Sequence, residues 1–145
     1  MNNNNSRQKQ NSGYKENTKT RPNFANIAEE AEWVIKSLVE KHGKNVVKTN
    51  QIRKILTIVN SIDAKHSLTQ DAQIDSDVED MLINLKIKIA YQSGREPAVK
   101  SFIKTSKLDS KLDEVLKSKS SKALKEYIKY TEALVAYHKF HVKEK

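Results

Sequence analysis

The stretch KIKIAYQSGREPAVKSF, residues Lys86–Phe102, carries two conflicting patterns in its first half. Lysine and isoleucine alternate from Lys86 to Ile89, as they do in a strand with one face in solvent. The surrounding apolar residues, however, recur every three or four positions, which is the spacing of a helix that buries one face. Gly94 is typical of a helix end, and Pro97 is typical of a first helical position. We therefore predict two consecutive helices joined at Gly94.

Helical spacing continues on both sides of this stretch and predicts six helices, the fifth of them short. No window shows a sustained two-residue alternation bounded by turn residues. The predicted fold class is therefore all-α, a compact bundle of five or six helices. The residues expected to bound the helices are Gly43 at the end of helix one, Thr49 or Asn50 at the cap of helix two, Asp75 or Ser76 at the start of helix three, and Ser120 or Ser121 at the cap of helix six.

Residues 1–22 differ in composition from the rest of the chain. They contain four consecutive asparagines, and Tyr14 is their only aromatic residue. Such a segment cannot bury enough apolar surface to offset the entropy of folding. We predict a disordered, basic, Asn-rich tail over residues 1–22, which includes Arg21, and a single helical domain over residues 23–145.

Charge and composition restrict the classes of partner. Lys and Arg outnumber Asp and Glu by 27 to 18, which gives a net charge of +9. A small domain stays soluble with a net charge of about 2 to 8, so this excess indicates a polyanionic partner, nucleic acid first. The sequence has no cysteine, which excludes disulfides and cysteine-bound zinc. No apolar run approaches the roughly 18 residues of a membrane span, so we expect a cytoplasmic protein without a membrane partner.

Helices three and six are apolar on two faces. At 100° per residue, each helix carries a second apolar face on the side away from its core stripe. Either these helices lie centrally in the bundle, or their second faces dock on another chain, as in self-association. The second face of helix three contains Ile83, Ile87, Ala90 and Tyr91, and that of helix six contains Tyr130, Ala133, Ala136, Tyr137 and Phe140.

The sequence offers weak evidence for catalysis. His138 and His141 stand three residues apart, but His138 lies on the core stripe and no nearby carboxylate completes a metal site, so a structural histidine is favoured. A nuclease that uses His66 with Lys65 or Asp63 stays open as an alternative. The three glycines of the chain are too few for a phosphate-binding glycine loop, and we expect neither a metal nor a cofactor.

Several cations lie off the predicted core stripes and close to helix ends. Lys88 and Arg95 fall on one side of helix three, and Lys100 and Lys104 are four residues apart on helix four. Cations of this kind, beside helix N-termini and Tyr91, suit binding to a phosphodiester backbone without reading its sequence. Those of helix two are Lys48, Arg53 and Lys54. A small helical DNA-binding regulator, with helix two as its recognition helix, is the main alternative.

Three blocks of the sequence resemble, in order and spacing, the Csm-type small subunit of type III-A CRISPR RNA-guided interference complexes. The resemblance covers about residues 26–141. Its most specific parts are the A-Y-Q-x-G-R-E core and the E-A-L-V-A-Y-H-K-F ending. The blocks are KTNQIRKILTIVNSI (Lys48–Ile62), LINLKIKIAYQSGREPAVKSF (Leu82–Phe102) and YIKYTEALVAYHKF (Tyr127–Phe140).

The resemblance implies an all-helical, non-catalytic cytoplasmic protein. Copies of it are expected to stack as the inner filament of a ribonucleoprotein, against other CRISPR effector subunits, along the target RNA paired to the guide RNA. This role belongs to antiviral defence. By resemblance, the RNA-binding residues are Lys48, Arg53, Lys54, Lys86, Lys88 and Arg95.

Overall fold

The computed structural model describes residues 20–69 and 71–143, and this part of the chain is built from α-helices. It contains no strand, only an isolated antiparallel bridge between Gln73 and Ser120. The predicted all-α bundle of six helices is confirmed, while residues 1–19 of the predicted tail lie outside the described residues. In chain order the helices are α1 (Ile27–His42), α2 (Thr49–His66), α3 (Ser76–Arg95), α4 (Pro97–Ser106), α5 (Leu108–Ser118) and α6 (Ser121–His141), with a 3₁₀ turn at Gly43–Asn45.

Two predicted caps start the helices that carry the apolar second faces. At α3, Asp75 Oδ1 accepts a hydrogen bond from the Val78 N–H at 2.9 Å. At α6, Ser120 Oγ accepts one from the Ala123 N–H at 3.2 Å. Each bond satisfies a backbone donor that has no partner within its own helix, which fixes where the helix begins.

The predicted start of α2 was wrong. The cap is Lys48, and Thr49 is already the first helical residue. Gln51 supplies the side-chain oxygen at this end, because its Oε1 accepts a hydrogen bond from the Lys48 N–H at 2.7 Å. This is the backward half of a capping box, in which the third helical residue reaches back to the cap.

The joint between α3 and α4 lies beyond the predicted glycine. Helix α3 continues through Gly94 to Arg95, and the chain becomes extended at Glu96 (φ −129°, ψ 111°). Because proline forces the preceding residue out of the helical region, Pro97 rather than Gly94 ends α3. Pro97 also opens α4, as predicted. Gly43 behaves differently, since it ends α1 with φ 57°, a conformation that favours glycine.

Helix α6 has more buried residues than any other helix of the described fold. It packs against α1, α2 and α5, whereas α3 packs against α2, α4 and α5 with its outer side free. His138 is 2% exposed, and its Nε2 lies 2.7 Å from the Val47 carbonyl oxygen, which confirms the structural role predicted for this histidine. The buried residues of α6 are Ser121, Leu124, Tyr127, Ile128, Tyr130, Thr131, Leu134 and His138.

Arg21 was predicted to lie in the tail but is part of the fold. Its guanidinium pairs with Glu30 of α1 and donates a hydrogen bond to the Thr105 carbonyl oxygen of α4 at 2.6 Å. It also lies 5.6 Å from the ring centre of Phe24 and 5.2 Å from that of Trp33. Arg21 is thereby tied to the helical domain, because one cation satisfies several groups at once.

Candidate nucleic-acid interface

The outer side of α3 presents an exposed apolar strip formed by Ile83, Ile87 and Tyr91. The exposed fractions of these side chains are 42%, 62% and 57%. A spacing of four residues places them along one line of the helix. The second apolar face predicted for helix three is therefore confirmed as a surface feature. Exposed apolar surface of this kind is typical of contact with another macromolecule.

The second face of α6 is buried at Tyr130 and exposed towards its C-terminal end, so only part of the predicted face is free to dock on a partner. Tyr130 is 2% exposed, and its hydroxyl donates a hydrogen bond to the Ser106 carbonyl oxygen at 2.8 Å. The Lys111 ammonium lies 4.8 Å from the Tyr130 ring centre. Burial raises the pKa of the Tyr130 phenol above its ordinary value. Ala136 and Phe140 are the exposed members of the predicted face.

Lys86 lies on the α5 side of α3. Its Nζ is 2.5 Å from Asp113 Oδ1, and both side chains are about half exposed. Two residues along a helix turn a side chain through about 200°, so Lys88 lies on the opposite flank of the apolar strip. The structure therefore does not bring Lys86 together with Lys88 and Arg95.

Helices α2 and α3 meet along the other flank. Lys65 in the last turn of α2 lies 3.8 Å from Asp77 in the first turn of α3, and the two helices pack together from this end. Eleven residues separate Lys54 from Lys65, and eleven separate Asp77 from Lys88. Eleven residues are about three helical turns, so Lys54 lies on the same face of α2 as Lys65, and Lys88 on the same face of α3 as Asp77, each about 16 Å along its helix from the ion pair.

Arg95 extends this line on α3. It stands seven residues, or about two turns, beyond Lys88, and its guanidinium carbon lies 5.8 Å from the Tyr91 ring centre. Lys54, Lys88 and Arg95 are all exposed, and none of them forms an ion pair within the described residues. We call Lys54, Lys88, Tyr91 and Arg95 the α2–α3 seam. It joins three of the six predicted RNA-binding residues.

The remaining two predicted residues lie elsewhere. Arg53 is exposed but stands about 100° round α2 from Lys54, so it does not join the seam. Lys48 precedes α2, and its Nζ donates a hydrogen bond to the Lys44 carbonyl oxygen at 3.2 Å. The six residues therefore divide among the seam, the α5 flank, the outer side of α2 and the α1–α2 connection.

The histidine of the nuclease alternative is buried. His66 is 4% exposed, and its Nε2 lies 2.9 Å from Ser121 Oγ. The Ser121 hydroxyl donates its own proton to the Asp71 carbonyl oxygen at 2.6 Å. Ser121 Oγ therefore accepts a hydrogen bond from the His66 Nε2–H, which ties this ring to the α6 start rather than to a surface cleft.

Nowhere in residues 20–69 and 71–143 do three His, Asp or Glu side chains gather as ligands for a metal ion. None of the described helices is both long and apolar enough to cross a membrane.

Sequence reasoning missed Lys44 and Lys143 as partners of Lys48. The three lysines line one groove where the end of α1 and the end of α6 come together. No sequence signal pairs them, because Lys44 and Lys143 are almost one hundred residues apart and meet only through the packing of α1 on α6.

An all-helical chain with a basic seam beside an exposed apolar strip belongs to the class of helical binding subunits, since it offers one surface to a polyanion and another to a macromolecular neighbour. A family model described as Csm2 Type III-A matches residues 21–144. The chain belongs to this family. The resemblance to the Csm-type small subunit is thereby confirmed, and no finding favours a DNA-binding regulator.

Curated relatives agree with the family assignment. Proteins named CRISPR system Cms protein Csm2 match this chain from several bacteria. The Enterococcus italicus protein is 43% identical over 97 residues, 67% of this chain and 69% of the relative. The Streptococcus thermophilus protein is 35% identical over 118 residues, 80% of this chain and 91% of the relative. The Mycobacterium tuberculosis protein is 29% identical over 107 residues, 74% and 85% of the two chains.

Proposed function

We propose that this chain is a non-catalytic, RNA-binding structural small subunit of a type III-A CRISPR interference complex. In antiviral defence, copies of it stack as an inner filament along the guide RNA and its target single-stranded RNA in the cytoplasm. The observation that carries this proposal is the α2–α3 seam beside the apolar strip in a chain of the Csm2 family. The two surfaces are adjacent but chemically distinct, as simultaneous contact with RNA and protein requires.

The α2–α3 seam supports RNA binding through charge and stacking. Lys54, Lys88 and Arg95 are exposed cations without acidic partners in the described residues, so their charge is available to phosphates. The Tyr91 ring is 57% exposed beside Arg95 and offers a face on which a base stacks. These groups tolerate any base, which suits a subunit that leaves sequence recognition to the guide.

The apolar strip supports contact with other effector subunits and with a second copy of the chain. Ile83 is 42% and Ile87 62% exposed, so much of their apolar surface is not covered within the described fold. Covering about 100 Å² of apolar surface contributes about 2.5 kcal/mol before the costs of association, so a neighbour stabilises this side of α3.

The absence of catalysis is the third part of the proposal. The buried His66 bonds to Ser121, and His138 bonds to the Val47 carbonyl oxygen, so both rings support packing. Incubating labelled RNA with the isolated protein and a divalent metal tests this part. Cleavage that His66→Ala abolishes would contradict it.

RNA binding by the seam is tested with the double variant Lys88→Ala, Arg95→Ala. Two lost phosphate contacts reduce the slope of log K against log salt by about 1.4, since each single-strand contact contributes about 0.7. The measurement is the RNA affinity of the assembled complex at several salt concentrations. The matched control is Lys125→Ala, Lys129→Ala, which removes two exposed lysines of α6. Equal slopes for the two variants would refute the assignment.

A further inference from the structure

A groove at the ends of α1 and α6 brings the predicted RNA-binding residue Lys48 together with Lys44 and Lys143, which no prediction includes. Its volume is about 710 Å³. The end of α1, the 3₁₀ turn and the residues that follow α6 form its walls. We call it the terminal groove, and its lining residues are Val39, Gly43, Lys44, Val46, Lys48, His141, Val142 and Lys143.

The lysines give the terminal groove a positive charge. Lys44, Lys48 and Lys143 line it and are exposed, and none of its described lining residues is acidic. Lys48 Nζ is held against the Lys44 carbonyl oxygen at 3.2 Å, so one ammonium group is already positioned at the rim. Three ammonium groups that form no ion pair within the described residues surround one concavity, which favours an anionic ligand and raises its local concentration.

The floor of the terminal groove is apolar and structurally fixed. Val39, Val46 and Val142 pack against the hydrophobic core. His141 Nε2 lies 2.7 Å from Glu32 Oε2, which ties the end of α6 to α1 and holds the two walls together. Glu32 is thus engaged by the histidine. A ligand that fits this groove carries a negative charge that the lysines at the rim bind, and a flat, weakly polar part that packs on the valines.

We propose that the terminal groove binds a nucleotide unit of single-stranded RNA, with its phosphate at Lys44, Lys48 and Lys143 and its base or ribose against the valine floor. This inference rests on the proposed RNA-binding function and extends it to a second, separate site. Lys48 lies at the start of α2, the helix that carries Lys54 of the α2–α3 seam. A strand that occupies the groove therefore continues over the N-terminal end of α2.

The site is located by following the valine methyl signals of the full-length protein in NMR spectra as an oligouridine is added. Val39, Val46 and Val142 are expected to shift and saturate. Inorganic phosphate and oligoglutamate are the comparison ligands. Equal shifts with phosphate would reduce the groove to a simple anion site, and shifts with oligoglutamate but not oligouridine would assign it to an acidic protein. Either result overturns the proposal.

The cations are tested with Lys44→Ala, Lys143→Ala, two exposed side chains whose loss leaves the core intact. With labelled oligouridine, the slope of log K against log salt is expected to fall by about 1.4 relative to the control Lys117→Ala, Lys129→Ala. An unchanged slope, or unmoved valine signals on RNA binding, would overturn the groove assignment. Lys88→Ala, Arg95→Ala is measured in parallel, so failure of the seam and failure of the groove give different results.

Discussion

Helices α3 and α6 share one kind of sequence but differ in their surroundings. Both are apolar on two faces, yet the outer face of α3 keeps Ile87 at 62% exposure, whereas Tyr130 on the corresponding face of α6 is 2% exposed, and exposure on that face is confined to Ala136 and Phe140 near its end. Helix α6 lies between α1, α2 and α5, which cover it from several sides. A second apolar face on a helix therefore indicates that this face is buried against other residues. The position of the helix decides whether those residues belong to the same chain or to another chain.

The largest expected effect separates the two tyrosines of these faces. Tyr130→Ala is expected to lower the free energy of unfolding by about 3–5 kcal/mol, because it leaves a cavity and an unpaired Ser106 carbonyl oxygen. Tyr91→Ala is expected to change it by less than about 1 kcal/mol, because the ring is 57% exposed. Urea unfolding monitored by circular dichroism measures both values. Similar losses for the two variants would contradict the structural difference.

The ionisation of buried tyrosines at alkaline pH provides a second test of this difference in burial. Burial raises the pKa of Tyr127 and Tyr130 above the ordinary value of 10.0, and nearby Asp109 adds to the effect at Tyr127. The raised pKa values stabilise the fold fully below about pH 10, and this stability is lost as pH rises further, because the unfolded phenols ionise. Two such groups lower the free energy of unfolding by about 2.7 kcal/mol per pH unit.

Urea unfolding at several alkaline pH values measures this loss, and the phenolate absorbance reports ionisation. The double variant Tyr127→Phe, Tyr130→Phe should have a flatter alkaline dependence. If all five tyrosines ionised together near pH 10 while the helical signal persisted, the buried positions of these two rings would be wrong.

The smallest effect on stability is expected on the apolar strip. Ile87→Lys should change the free energy of unfolding by about 0.5 kcal/mol or less, because the side chain is already in solvent. It should nevertheless weaken incorporation into the complex about tenfold or more, since a cation replaces apolar contact surface. Co-purification with the other effector subunits measures incorporation. Leu68→Lys, at an 81% exposed leucine, is the matched control, and equal incorporation of both variants would remove the docking role of the strip.

The sequence predicts the helices well, because apolar spacing and capping depend on residues that are close together in the chain. Apolar spacing places all six helices, and Asp75, Ser120 and Pro97 start helices as their chemistry requires. The predictions at α2 and Gly94 failed because two local signals competed. Gln51 supplied the capping oxygen instead of Thr49 or Asn50. The proline effect at Glu96 replaced the expected glycine turn.

The candidate site is predicted only in part, because its geometry is set between helices. The alignment of Lys88 with Arg95 follows from helical periodicity, and α3 is indeed continuous through both. Periodicity within α3 cannot show that α5 presents Asp113 to Lys86, or that the end of α2 meets the start of α3 through Lys65 and Asp77. The terminal groove is harder still to predict from the sequence, since its lysines come from opposite ends of the folded region.

The packing of α1 on α6 has a consequence for synthesis of the chain. The first and last helices of the bundle cover each other, so this contact closes a loop of about one hundred residues. While the ribosome makes the intervening helices, α1 is without its partner, and its apolar side stays open to chaperones and to other nascent chains. The bundle is completed only when α6 emerges to pack on α1, whose buried residues are Ala31, Val34, Ile35 and Leu38.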